Sequence, residues 1–261
     1  MTISPQIHPT AAVDAGAQLG VGVCVGPFAV IESGAVVGDG CRIGAHAVIR
    51  GYTRVGARCR IWEHAVLGGE PQDVKFGDYV SYLEIGADNI IREGVTIHRS
   101  SEKDGSTVVG EGNFFMAYCH VAHDCKIGSR VIVANGALLA GYVSVADRAF
   151  ISGNVVIHQF TRVGTLAMVS GLARISQDCL PYIITEGSPA RARALNIVGL
   201  RRAGFSVDQI GALKQAFRTL LRSGLRLPDA LAQLEISTSP PVQELLAFVR
   251  AAKRGFSHGE A

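Results

Sequence analysis

An apolar side chain recurs at every sixth position of this chain from Ile7 to Ile175. Stretches such as Ile7, Val13, Leu19, Val25, Ile31, Val37 and Val121, Ile127, Val133, Leu139, Val145, Ile151 keep the step without slipping. Only Asp73, Tyr79 and Lys103 depart from it among 29 grid positions. The residue two places before each beat is usually small, as at Ala29, Ala35, Cys41, Ala47, Cys59, Cys119 and Cys125, and glycine often follows the beat. A period of six suits neither an amphipathic helix nor an alternating strand. It suits a parallel β-helix, a solenoid in which every short strand is one repeat unit. Four of the six cysteines fall on the small positions, which assigns them to packing rather than to disulfides.

The breaks in the beat mark two excursions. The first covers about 69–81 (GEPQDVKFGDYVS) and the second about 99–107 (RSSEKDGST). Loops leaving a rigid scaffold often carry function. After Ile175 the next grid position is Pro181 and the pattern becomes helical. Ser206 and Gln209 spell a capping box before an apolar-periodic run that ends at Gly224. Pro228 and Ser239-Pro240 open two more helices, the last reaching about Arg254, and Gly255 to Ala261 are expected to fray. The expected layout is a β-helix over 1–190 and a small helical domain over 191–261.

Charge and hydropathy narrow the function classes. A net charge of +3 gives no ground for nucleic-acid binding. No run of about 18 purely apolar residues exists, so no membrane span is expected. The N-terminus lacks a basic stretch followed by an apolar one, which points to a cytoplasmic protein.

The hexads resemble the hexapeptide-repeat acyltransferase family. That resemblance implies a mainly β fold, a left-handed parallel β-helix with three hexads per coil, and a homotrimer. At that coil length, residues three hexads apart stack. His123, Gly141 and Gln159 then form one column and Asp124, Tyr142 and Phe160 the next, with His158 one residue away. A histidine can take a proton, and a glycine exposes an N–H to a developing oxyanion. A zinc site of the carbonic anhydrase kind, using His98, His120 and His123, is the alternative reading of the same histidines. A solvated turn on an inert scaffold is another.

Longer motifs, HVAHDCKIG, LLAGYVSV, VVIHQF, VTIHRS, PQDVK and GLRRAGFS, resemble one branch of that family. Its members pass a 3-hydroxyacyl chain from acyl carrier protein to the glucosamine 3-hydroxyl of UDP-N-acetylglucosamine, the opening step of lipid A synthesis. The resemblance implies His123 as general base, Asp124 as its orienting partner and the Gly141 N–H as oxyanion donor. It implies sugar-nucleotide contacts from Gln72, Asp73, Lys75, His120 and Tyr142, and sugar or pantetheine contacts from His158 and Gln159. Asn196 and Arg202 would hold the nucleotide, and Gly171 would set acyl length, open enough for a chain near C14. No cofactor or metal is implied. Three positions depart from the branch: Tyr142 stands where it commonly has histidine, Val198 where some relatives have a carboxylate, and Ala203 where they have arginine. These leave room for a 3-amino sugar acceptor; an acyltransferase of the same fold using coenzyme A is a separate alternative. A basic stripe, Lys214, Arg218 and Arg222, suggests an acidic partner such as the carrier.

Overall fold

The structure is a computed structural model that describes residues 4–77 and 79–258. Among these residues there are 28 short strands, and all but the last wind into a left-handed parallel β-helix with three flat faces. The first sheet has 11 strands, the second nine and the third eight. Through most of the coil a strand pairs with the one three hexads on, as in His120↔Leu138 on the second sheet and Lys126↔Ser144 on the third. The beat residues turn inward, so Val121, Ile127, Val133 and Leu139 are almost wholly buried in one continuous column. Small residues ahead of the beat, including Cys119 and Cys125, fill the narrow corners.

Each corner turns sharply at the third residue after a beat. Asp124, Tyr142 and Phe160 adopt φ of 60°, 62° and 64° there. A left-handed backbone costs a side-chain-bearing residue about 1 kcal/mol, and the coil offsets this with its backbone ladder. Tyr142 N donates to His123 O at 3.0 Å and Phe160 N to Gly141 O at 3.1 Å.

The excursions obey the same arithmetic. Arg60 pairs with Ile90, five hexads on, two more than the usual coil. Thr96 pairs with His120, four hexads on, one more than usual. Each excess is a whole number of hexads, so the beat resumes in phase. Both excursions leave at the corner between the second and third sheets, after strands Val66–Gly69 and Thr96–His98.

Strands Ile183–Glu186 and Arg191–Leu195 pair antiparallel at the end of the first sheet. Four helices follow: α1 (Ile197–Arg202), α2 (Val207–Leu221), α3 (Leu227–Glu235) and α4 (Pro240–Arg250). The Ser206–Gln209 capping box opens α2 as its residues require. Leu200, Leu213, Leu234, Leu245 and Leu246 form a second core with Tyr182 and Ile183. No helix among the described residues is long and apolar enough to cross a membrane.

The expectation of a frayed C-terminus is wrong for residues 255–258, while 259–261 lie outside the described residues. Phe256 is only 2% exposed. Asp178 N donates to Gly255 O at 3.2 Å, and Ser257 N returns a bond to Asp178 O at 2.9 Å. The tail therefore rejoins the last coil instead of fraying. Phe256→Ala should cost about 3–5 kcal/mol, the usual range for emptying a buried phenylalanine site, and denaturant unfolding measures it.

Candidate active site

Most of the residues singled out in the sequence collect along the corner between the second and third sheets. His123 and Asp124 occupy one coil of that corner, Gly141 and Tyr142 the next, and His158, Gln159 and Phe160 the one beyond. His120 faces outward from strand His120–Val121 of the second sheet. The first excursion, with Gln72, Asp73 and Lys75, leaves the same corner two coils before His123.

His123 Nδ1 lies 2.8 Å from Asp124 Oδ2, and the two side chains are only 12% and 9% exposed. A carboxylate oxygen accepts, so Nδ1 carries the proton and Nε2 keeps its lone pair. The imidazole lies over the bare Cα of Gly141. A Cβ at that position would stand 2.6 Å from His123 Cε1 and 2.8 Å from Nε2, so no side chain fits there.

The Gly141 N–H is a further feature of this corner. At some equivalent corner positions the N–H is bonded by a side-chain oxygen, as where Val21 and Ser129 donate to Asp39 and Asp147 at 2.8 Å, while at others, Gln159 and Gly171 among them, it has no protein acceptor among the described residues. Among the described residues, Gly141 N donates to no protein acceptor. A buried, unpaired N–H beside a histidine is a ready donor to a ligand oxygen.

Asp124 is held by residues that sequence reasoning missed. Ser100 Oγ donates to Asp124 Oδ1. Ser101 gives Oδ2 both its backbone N–H at 3.0 Å and its hydroxyl at 2.7 Å. Asp124 N donates to Thr107 Oγ1 at 2.7 Å. Burial alone would raise the Asp124 pKa, but the bonds from Ser100, Ser101 and His123 outweigh it and hold the group below its ordinary value. The second excursion is thus a seat for this carboxylate. Its polar composition was the available signal, but the inserted hexad hid which residues would reach Asp124.

Tyr142 closes the network. Its hydroxyl donates to Glu102 at 2.6 Å and lies 3.2 Å from Ser101 Oγ. Its ring stacks on Phe160 at 4.7 Å and meets His123 edge-on at 5.4 Å. Burial, then the Glu102 carboxylate, pushes the phenol up to about 12. His120 Nδ1 pairs with Thr96 Oγ1 at 2.7 Å, and its ring meets His98 edge-on at 4.7 Å. Burial, then His123, keeps the His120 pKa low.

Residues 178–257 match the family described as UDP N-acetylglucosamine O-acyltransferase, domain 2. Residues 16–51, 34–69 and 106–141 match the bacterial transferase hexapeptide repeats. The acyl-[acyl-carrier-protein]–UDP-N-acetylglucosamine O-acyltransferase of Alkalilimnicola ehrlichii is 51% identical over 96% of this chain and 98% of its own. The chain belongs to this O-acyltransferase family. The UDP-N-acetylglucosamine acyltransferase structure from Bacteroides fragilis superposes with a TM-score of 0.94 at 41% identity, covering 96% of this chain and 99% of that one. That from Campylobacter jejuni gives 0.92 at 38%, covering 98% and 100%.

Within this O-acyltransferase the remaining candidates stand apart from His123. Asn196 and Arg202 line a cavity of about 830 Å³ against the first sheet, with Ile132, Phe150 and Met168. Both ends of the Asn196 amide are occupied, Nδ2 donating to Leu166 O at 2.9 Å and Oδ1 capping α1 through Gly199 N at 3.0 Å. Gly171 sits on the corner between the first and second sheets, where a Cβ would meet only Gly153 O and Ser152 Cβ, at 3.4 and 3.9 Å. His158 Nδ1 donates to Gln159 O at 3.0 Å, and both residues are exposed. Val198 is exposed and Ala203 partly buried in the Arg202 cavity. Among the described residues of one chain, no group of three or more His, Cys, Asp or Glu side chains, His98, His120 and His123 included, is placed to hold a metal ion.

Gly141→Ala should push the imidazole out of line and cut turnover about a hundredfold, the scale of an ångström misplacement; steady-state kinetics with a circular dichroism control tests it. His98 has its buried Nδ1 unpaired, and burial, then His120 and His123, lowers its pKa from 6.5 to about 4. An unfolded chain therefore binds this proton at a higher pH than the folded one. The linked stability is whole above pH 6.5 and is lost as the pH falls towards about 4. Denaturant titrations at neutral and mildly acid pH should show a smaller acid loss in His98→Gln.

Proposed function

We propose that this protein transfers a 3-hydroxyacyl chain from acyl carrier protein to the glucosamine 3-hydroxyl of UDP-N-acetylglucosamine, the first step of lipid A synthesis, in the cytoplasm. The observation that carries the mechanism is His123, bonded to Asp124 and lying over the Cα of Gly141, whose N–H has no protein acceptor among the described residues. His123 Nε2 removes the proton of the sugar hydroxyl as its oxygen attacks the thioester carbonyl. The carbonyl π electrons move to oxygen, and the Gly141 N–H donates to that oxyanion. Collapse breaks the carbon–sulfur bond, and the departing thiolate takes the proton from the imidazolium. Asp124 keeps the imidazole in its reactive tautomer and balances its transient charge. Every atom and proton is accounted for by these groups and the two substrates.

The active assembly in this proposal is a homotrimer. The catalytic corner lies between the second and third sheets, whereas Asn196, Arg202 and Gly171 lie on or beside the first. One chain cannot turn both sets towards one substrate; a second copy can bring its first sheet to the catalytic corner. The outer faces support this, since Ile90, Phe114, Ile132, Phe150 and Met168 line the first sheet and Val30, Val48, Val66, Leu138 and Val156 the second. Such apolar faces call for cover. Arg202, exposed beside the cavity, would then meet the nucleotide, with Asn196 shaping its loop. Lys75, Gln72 and Asp73 in the first excursion, with His120, Tyr142, His158 and Gln159, would surround the sugar and the arm of the donor. Lys214 and Arg218 on the exposed side of α2 would face the acidic carrier, while Arg222 is drawn to the Arg193 carbonyl.

A second acceptor, the 3-amino sugar analogue, is favoured by one observation: Tyr142, tied to Glu102, replaces the histidine common in the branch. Mass spectrometry of the product from UDP-N-acetylglucosamine and mixed C10 to C14 3-hydroxyacyl carriers separates these readings. The expected product is an O-ester, with C14 preferred over C10 because Gly171 leaves its corner open. His123→Ala should reduce turnover by about 10²–10⁴-fold with the fold unchanged. Retained turnover in that variant, or a product formed equally from coenzyme A thioesters, would count against the proposal.

A further inference from the structure

A cavity of about 490 Å³ opens on the outer face of the third sheet, beside the catalytic corner. Asp124, Lys126 and Tyr142 line one end, Phe160 the wall, and Lys253 and Arg254 the other end. The distance between the ends can be counted in rungs. Lys126, in the coil of Asp124, pairs with Ser144, which pairs with Arg162. The bridge from Val163 to Cys179 adds one rung more. Three rises of about 4.8 Å make roughly 14 Å.

The two cations are fixed at the far rung. Gln177 Nε2 donates to Arg254 O at 3.3 Å, and Asp178 N to Gly255 O at 3.2 Å. Their side chains are exposed and have no ion-pair partner among the described residues. Asp178 also lines the cavity, but Arg162 neutralises it through a contact of 2.7 Å. Arg162 is engaged further by the Phe248 carbonyl at 2.9 Å and so is not free for a ligand.

A carrier's thioester hangs from a phosphodiester through an extended pantetheine arm. That arm is equivalent to about four peptide units, on the order of 14 Å when extended. With its thioester at His123, its phosphate falls at the rung of Lys253 and Arg254, and its central carbons run over the Tyr142–Phe160 stack. We propose that Lys253 and Arg254 form the phosphate-binding end of a pantetheine channel on the third sheet. This rests on the acyl-transfer reading above and adds to it the route and anchor of the donor.

The test compares three donors carrying the same acyl group: acyl carrier protein, acyl phosphopantetheine, and acyl pantetheine lacking the phosphate. The double variant Lys253→Gln with Arg254→Gln should raise KM about tenfold or more for the two phosphate-bearing donors, the scale of a lost charge-assisted bond. KM for acyl pantetheine, KM for the sugar nucleotide and kcat should stay within about twofold. Arg254→Lys alone, which keeps the charge, should stay close to the parent. An equal rise for all three donors, or a rise confined to the carrier, would overturn the phosphate site. If the parent chain turned over none of the three, the acyl-transfer reading itself would fall, and this site with it.

Discussion

The N–H groups of one coil find their carbonyls on the next, and the rest of the molecule depends on that ladder. A hairpin can slip its register at modest cost, because its partner strand is a neighbour in sequence. Here a slip of one residue would turn Val121, Ile127 and Val133 outward and expose a whole column of apolar side chains. Register is therefore held along the full length, and insertions survive only as whole hexads. The two excursions, with excesses of two hexads and one, meet that requirement. What leaves the scaffold does so at a corner and returns in phase.

The same ladder explains why chemistry gathers where it does. At a corner the chain turns through a left-handed residue, and the N–H before it points away from the core. On a few corners a side-chain oxygen of a neighbouring coil occupies that N–H, as Asp39 and Asp147 do. At Gly141, between the second and third sheets, the difference lies in the side chains. Gly141 supplies no side chain, His123 lies in the space this leaves, and the N–H stays unpaired among the described residues. The site therefore needs no special loop to create its donor; it needs a corner whose glycine leaves room for an imidazole beside a bare N–H. The excursion carrying Ser100 and Ser101 then supplies what a bare coil cannot, several donors converging on one carboxylate.

Much of this was legible in the sequence, for a definite reason. Strict periodicity converts separation along the chain into distance in space, so the columns of His123 with Gly141 and of Asp124 with Tyr142 could be counted out. The capping box at Ser206 was equally legible, because both partners are local. Counting failed where the period broke. Ser100, Ser101 and Glu102 belong to an inserted hexad, and nothing in the beat says where an insertion folds back. Phe256 was misjudged because its contacts are with Asp178 and the helical core, far away in sequence. Asn196 carries a signal of another kind. Its amide is occupied by the cap of α1 and by Leu166 O, a local duty that resemblance to relatives does not reveal.

Tyr142 bears on how the site handles charge. A histidine at this corner could become cationic and face a phosphate or an oxyanion. A tyrosine pushed up to about 12 by burial and by Glu102 remains neutral, and its hydroxyl is committed to that carboxylate. Glu102 in turn belongs to the excursion that seats Asp124, so the phenol fastens the seat instead of contributing charge. Positive potential for an anionic substrate then comes from Lys126 in the cavity beside Asp124, Lys75 on the first excursion, Arg202 on α1, and Lys253 and Arg254 on the tail. Arg202 and the tail pair stand away from the His123–Asp124 pair. That separation suits a base whose reactive nitrogen must hold a lone pair, since a cation close by would lower its affinity for the proton it has to take.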